Sequence, residues 1–158
     1  MITAHHRAKF DRSFSAVCSR RSNKSDLVLS RRFDIHEAQF HVHAQLWRDV
    51  SEAIAVFFED LRQHNAAEDV ILLLWSEFGR RVRDNGSGTD HGAGGMALVL
   101  GEAVKGGMYG EQPSLREGDL TLGNLRYTND FRSTYSTVLE RWFQVEARPI
   151  VHGIFRSW

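Results

Sequence analysis

A single cysteine, Cys18, two prolines and a formal net charge of zero are the scarcities of this chain. One thiol makes no internal disulfide, and Cys18 has no partner at metal-type spacing, so neither a disulfide framework nor a cysteine metal site organises the fold. Acidic and basic residues cancel at 20 each, so net charge does not call for nucleic acid or an anionic membrane. No apolar stretch reaches the roughly 18–20 residues of a membrane span. Arg20-Arg21 resembles the start of a twin-arginine export signal, but no apolar run follows it, which excludes that reading.

What remains is an ordinary apolar fraction of 42% spread over 158 residues, enough for one domain with a real core and too little for two. The charge is uneven. Residues 1–32 carry eight Lys or Arg against two acidic residues, Asp11 and Asp26. With little hydrophobic periodicity before Leu27, residues 1–25 are expected to be a basic, disordered leader, and a nucleic-acid arm is the disfavoured alternative.

From residue 26 the pattern is that of an α/β protein. Leu27-Val28-Leu29 reads as a strand that delivers Asp34-Ile35-His36 at its end. Leu46, Val50, Ile54, Phe57, Phe58 and Leu61 recur at spacings of three and four, which predicts a helix from about Gln39 to His64. Val70 to Trp75 is wholly apolar and should be covered on both faces, as in a parallel sheet. Strand, helix and buried strand form a βαβ signature. Residues 79–95 are expected to be a polar, glycine-rich loop, Met96 to Leu100 a third strand, and 106–124 irregular. A last helix should begin near Thr128 or Asn129, with Phe131, Tyr135, Val138, Leu139 and Trp142 as its buried stripe.

Chemistry concentrates where the strands end. Ligands in open α/β sheets sit beyond the carboxyl ends of strands. Asp34 and His36 follow the first strand, Glu77 follows the second, and Asp90-His91 lie in the loop after it. Three carboxylates and two imidazoles suit a divalent metal: Zn, Mn or Fe, with Mg or Ca admitted by the carboxylates. Arg80, Arg81 and Arg83 are candidates to hold an anion, against the plainer reading of a solvated loop. His41 and His43 open the long helix and read as structural, and Asn85 and Ser87 as loop formers.

The motifs Phe33-Asp34-Ile35-His36, Ser76-Glu77-Phe78-Gly79-Arg80, Asn85-Gly86-Ser87, Thr89-Asp90-His91-Gly92, Gly106-Gly107-Met108-Tyr109-Gly110 and Tyr127-Thr128-Asn129-Asp130-Phe131-Arg132-Ser133 occur here in one order. From about Asp26 to Phe155 this closely resembles the C-terminal part of the DUF1501 family, bacterial proteins of unassigned function grouped with the alkaline phosphatase-like superfamily. The resemblance implies a partial alkaline phosphatase-like fold, a largely parallel sheet flanked by helices with its N-terminal portion missing. It implies Asp34, His36, Glu77, Asp90 and His91 as ligands of a divalent metal (Zn, Mn, Ca or Mg), with Arg80 holding an anionic phosphate or sulfate ester. Arg31 and Arg32 stand where the family has glycines, and Ile35 replaces a threonine. The superfamily's nucleophile belongs to the N-terminal portion, so the resemblance further implies a chain not catalytically competent alone. The alternative is a non-catalytic structural or interaction module. Either self-association or a complementing N-terminal fragment would cover the cut sheet edge. Relatives are often exported, and this chain carries no recognisable signal.

Overall fold

The computed structural model describes the backbone of two strands, Arg12–Ser19 and Lys24–Ser30, and the chain from residue 33 to residue 158. Those strands, β1 and β2, join β3 (Val70–Trp75) and β6 (Leu98–Leu100) in a four-stranded sheet of order β2-β1-β3-β6. A separate two-stranded ribbon pairs β4 (Gly79–Asp84) with β5 (Thr89–Gly92). Helix α1 (Gln39–Gln63) connects β2 to β3, and α2 (Phe131–Thr137) and α3 (Arg148–Val151) lie near the carboxyl end.

The first surprise is β1. It falls within the stretch expected to be a disordered leader, yet it pairs antiparallel with β2 on one side and β3 on the other. Its run Phe14-Ser15-Ala16-Val17-Cys18 is compatible with a pleated strand, and the edge of apolar β3 supplies backbone groups that need partners. Residues 1–11, 20–23 and the pair Arg31-Arg32 lie outside the described residues, so most of the expected leader is not described beyond the backbone of β1.

β1 also alters how the βαβ signature is realised. β2 and β3 run in the same direction, but β1 lies between them, so every described strand pairing is antiparallel. The register fixes a shared edge. Ser30 at the end of β2 faces Arg12, and Trp75 at the end of β3 faces Phe14. The carboxyl ends of β2 and β3 therefore meet on one side of the sheet.

β3 is buried on both faces, as its unbroken apolar run requires. Val70 and Leu72 pack with Phe58, Leu61 and Ala67, joined by Ile54, Phe57, Leu74 and Leu100. Ile71, one residue out of phase and hence on the opposite face, packs on Trp142 with Val99, Val104, Val138 and Phe143. Helical segments thus cover the sheet from two sides.

Two elements depart from the sequence pattern. Residues 79–92 form a hairpin rather than a loop. Its strand Arg80-Arg81-Val82-Arg83 is mostly exposed and carries no apolar alternation to announce it. The last helix passes at Val138–Trp142 into a π-helical turn, closed by Phe143 N donating to Val138 O. The wider turn rotates the buried face. Trp142 is inside as expected, whereas Phe131 is 69% exposed and the small residues Ser133 and Ser136 take the inward positions of α2. No helix among the described residues is long and apolar enough to cross a membrane.

Candidate metal centre

Three segments converge at the edge where β2 and β3 end. The extended stretch Asp34–His36 leads from β2 into α1, Ser76–Phe78 follows β3, and β5 returns from the hairpin turn carrying Asp90 and His91. Asp34, His36 and His91 come together although the first and last are 57 residues apart. His91 Nε2 lies 2.7 Å from Asp34 Oδ1, His36 Nε2 lies 3.1 Å from His91 Nε2, and His36 Nε2 lies 3.3 Å from Asp34 Oδ1. The three ligand atoms form a small, nearly equilateral triangle.

The expected ligand set is divided by this geometry. Asp34, His36 and His91 each turn an atom toward one point. Asp90 instead has Oδ1 3.6 Å from Nδ1 of His36, the ring nitrogen facing away from the triangle. Glu77 is exposed on the bend after β3 and is not part of the cluster.

Arg80 is held by the backbone. Its Nη2 donates to Phe33 O at 2.9 Å and its Nη1 to Thr89 O at 2.8 Å. Phe33 precedes Asp34 and Thr89 precedes Asp90, so one guanidinium ties the two ligand-bearing segments together. The same guanidinium lies 5.4 Å from the centre of the Phe78 ring. Phe78 in turn stacks on His91, with centroids 3.6 Å apart and planes 17° from parallel. Arg81 Nε donates to His91 O at 3.3 Å.

The hairpin turn braces the other side. Asn85 Oδ1 accepts from Ser87 N and Gly88 N, while its Nδ2 donates to His36 O at 3.2 Å and to Asp90 Oδ1 at 3.1 Å. Ser87 reaches α1, its Oγ accepting from Ala38 N at 2.8 Å and its carbonyl from Gln39 N at 3.1 Å. That supplies partners to the start of a helix whose own N-cap, Ala38, has no side-chain acceptor to offer. Thr89 Oγ1 donates to Gln39 Oε1 at 2.8 Å. Asn85 and Ser87 are therefore struts as well as loop formers. Phe78, Asn85, Ser87 and Gly88 are the site residues that ligand chemistry alone did not single out; Phe78, Asn85 and Ser87 were marked only by the motifs they belong to, and Gly88 by its place after the Asn85-Gly86 turn signal.

Electrostatics suit a cation. The hydrogen bond with His91 holds the Asp34 carboxyl below the usual carboxylate range, and His36 adds to the effect. The Asn85 amide does the same for Asp90, with His36 and Arg81 contributing. His43, packed edge-on against Phe33 and Trp47, is held below the ordinary imidazole value by burial and then by Arg80, which fits its structural reading. His41 is exposed.

The family model described as "Protein of unknown function (DUF1501)" matches residues 1–154. The match takes in residues 1–25, beyond the Asp26–Phe155 span over which the motifs carry the resemblance. No curated protein and no solved structure matches the chain.

Proposed function

From the premise that the chain belongs to the DUF1501 family, we propose that Asp34, His36 and His91 hold one divalent metal ion in a domain built for phosphate- or sulfate-ester hydrolysis. The observation that carries the reading is the triangle of ligand atoms. Metal–ligand bonds of about 2.0–2.2 Å place ligands about 3.0 Å apart at right angles and about 3.4 Å apart at tetrahedral angles. The observed separations of 2.7, 3.1 and 3.3 Å bracket the right-angle value. Two imidazoles and one carboxylate clustered on one side of an ion leave its other positions free for substrate.

The donor set favours a transition metal over Ca or Mg, because two of three ligands are imidazole nitrogens. An ion held there supplies Lewis acidity toward a phosphoryl or sulfuryl oxygen. The residues of this chain would build the metal-binding part of such a site: Asp34 contributes a carboxylate already ionised at neutral pH, Phe78 and Asn85 fix the approach of the two imidazole segments, and Arg80 holds the segments in register. The resemblance of the motifs to the alkaline phosphatase-like superfamily supports the ester-hydrolase class, since members of that superfamily use Asp and His ligands at the carboxyl ends of strands.

Elemental analysis of chelator-washed and reloaded protein, beside Asp34→Ala/His91→Ala, is the test. About one transition metal per chain, lost in the double variant, is the expected result. An equal metal content in both proteins would remove the assignment. Screening phosphate and sulfate monoesters with the loaded protein then addresses the ester-hydrolase class.

A further inference from the structure

We infer that Asp90 is a positioning residue for His36, held in place by Asn85, and not itself a ligand of the metal. The inference rests on the proposed metal centre and concerns how one of its ligands is aimed.

An imidazole has two nitrogens on different sides of its ring. His36 presents Nε2 to the triangle, 3.3 Å from Asp34 and 3.1 Å from His91, and presents Nδ1 to Asp90 at 3.6 Å. A carboxylate on the Nδ1 side cannot share the ion that Nε2 faces without a large movement of one of them. It is, however, where a proton acceptor must be for Nδ1 to keep its hydrogen and leave the Nε2 lone pair bare. Metal-binding histidines are held in this way by an outer carboxylate, which fixes both tautomer and ring direction.

Asn85 makes the arrangement specific. Its side-chain oxygen is committed to two backbone N–H groups, those of Ser87 and Gly88, which settles which end of the amide is nitrogen. The two amide hydrogens then go to His36 O and Asp90 Oδ1. One side chain therefore anchors both the main chain of His36 and the carboxylate that meets its ring. From 3.6 Å, a closure of about half an ångström brings Asp90 into hydrogen-bond range of Nδ1. Space behind His36 is closed as well, since a Cβ at Gly88 would stand 2.6 Å from the His36 carbonyl oxygen.

The test uses the full chain, titrated with Co²⁺ and read by its visible d–d bands, together with ¹⁵N imidazole spectra of the metal-free protein. Asp90→Ala is compared with wild type and with Asp34→Ala; Asp90 is exposed, so its truncation spares the core. The expected result is one Co²⁺ per chain in wild type and in Asp90→Ala, with affinity about 10–100-fold weaker in the variant and its bands shifted. Asp34→Ala should lose the stoichiometric site. In the metal-free spectra His36 should be the Nδ1–H tautomer in wild type and a mixture in Asp90→Ala. Loss of stoichiometric Co²⁺ in Asp90→Ala as complete as in Asp34→Ala would make Asp90 a ligand and overturn the inference. An unchanged tautomer would overturn it too. Failure of wild type to bind Co²⁺ would sink the metal reading, and the tautomer measurement would still decide whether Asp90 directs His36.

Discussion

His36 Nε2 and His91 Nε2 lie 3.1 Å apart across 55 residues of sequence. Without hydrogens, the two nitrogens aim lone pairs at each other and at the Asp34 carboxylate, an arrangement that repels itself. A cation relieves the arrangement. Saturating Zn²⁺ or Mn²⁺ is therefore expected to stabilise the native chain, by about 2.7 kcal/mol at a hundredfold excess over Kd. For a domain of this size that is a rise of about 5–10 °C in Tm. Thermal unfolding against a chelated baseline measures it, and His91→Ala should abolish the rise. A comparable rise in His91→Ala would place the ion elsewhere.

Arg80 invites a different experiment. Two of its five N–H groups donate to Phe33 O and Thr89 O. Its removal leaves two carbonyls short of a charge-assisted donor, each such bond being worth about 1.5–3 kcal/mol. Partial exposure lowers the expected total for Arg80→Ala to about 2–3 kcal/mol. Arg80→Lys should recover little, because an ammonium lacks the fork that spans both oxygens. Urea unfolding of the two variants checks this. If both match wild type in stability, the bracket between the two segments carries no weight.

Gly88 is a tight point beneath the site. A Cβ there would stand 2.6 Å from His36 O and 2.9 Å from Gln39 Cβ, so the hairpin turn and the start of α1 leave room for hydrogen only. Gly88→Ala should cost about 1–3 kcal/mol through overpacking and should weaken metal binding by displacing His36. Gly86, whose Cβ position is open but whose φ is 99°, is the control. Its alanine variant should strain the turn without moving His36. Parallel urea and metal titrations separate the two, and equal metal affinity in Gly88→Ala and wild type would dismiss the coupling.

What the sequence made legible follows the strength of each periodic signal. α1 was set by six apolar residues at helical spacing, and its observed span, Gln39–Gln63, is one residue short of expectation. β3 announced itself by being apolar throughout, the mark of a strand covered on both faces. β1 was obscured because serines interrupt its apolar residues and basic residues dominate its neighbourhood. The β4–β5 ribbon was obscured because a two-stranded, solvent-facing hairpin has no buried face to impose alternation. Strand order was out of reach for a related reason: local pattern does not say that β1 inserts between β2 and β3. At the site, residue type singled out Asp34, His36 and His91, which the structure brings together, but type alone could not show that Asp90 and Glu77 stand apart from that cluster. Asp90 stands beside His91 in sequence and on the far side of the His36 ring in space.

Asp130 offers a test of local structure remote from the metal. It caps α2, accepting from Arg132 N at 2.9 Å, and it pairs with the Arg132 guanidinium through both oxygens, at 2.9 and 2.6 Å. Arg132 also lies over the Phe155 ring at 4.1 Å, so the cap ties the helix to the carboxyl-terminal segment. Those bonds from Arg132 hold the Asp130 carboxyl below its usual range. A carboxyl whose folded value is depressed stabilises the protein above its unfolded pKa, about 3.9, and loses that contribution as pH falls through the lower folded value. Asp130→Ala should therefore destabilise by about 1 kcal/mol at pH 7, and the gap to wild type should narrow below about pH 4. Paired urea midpoints at pH 7 and pH 3 measure that gap directly. A gap that stays constant to pH 3 would mean that the neutral acid caps the helix as well as the carboxylate does, and that its pair with Arg132 adds nothing to stability.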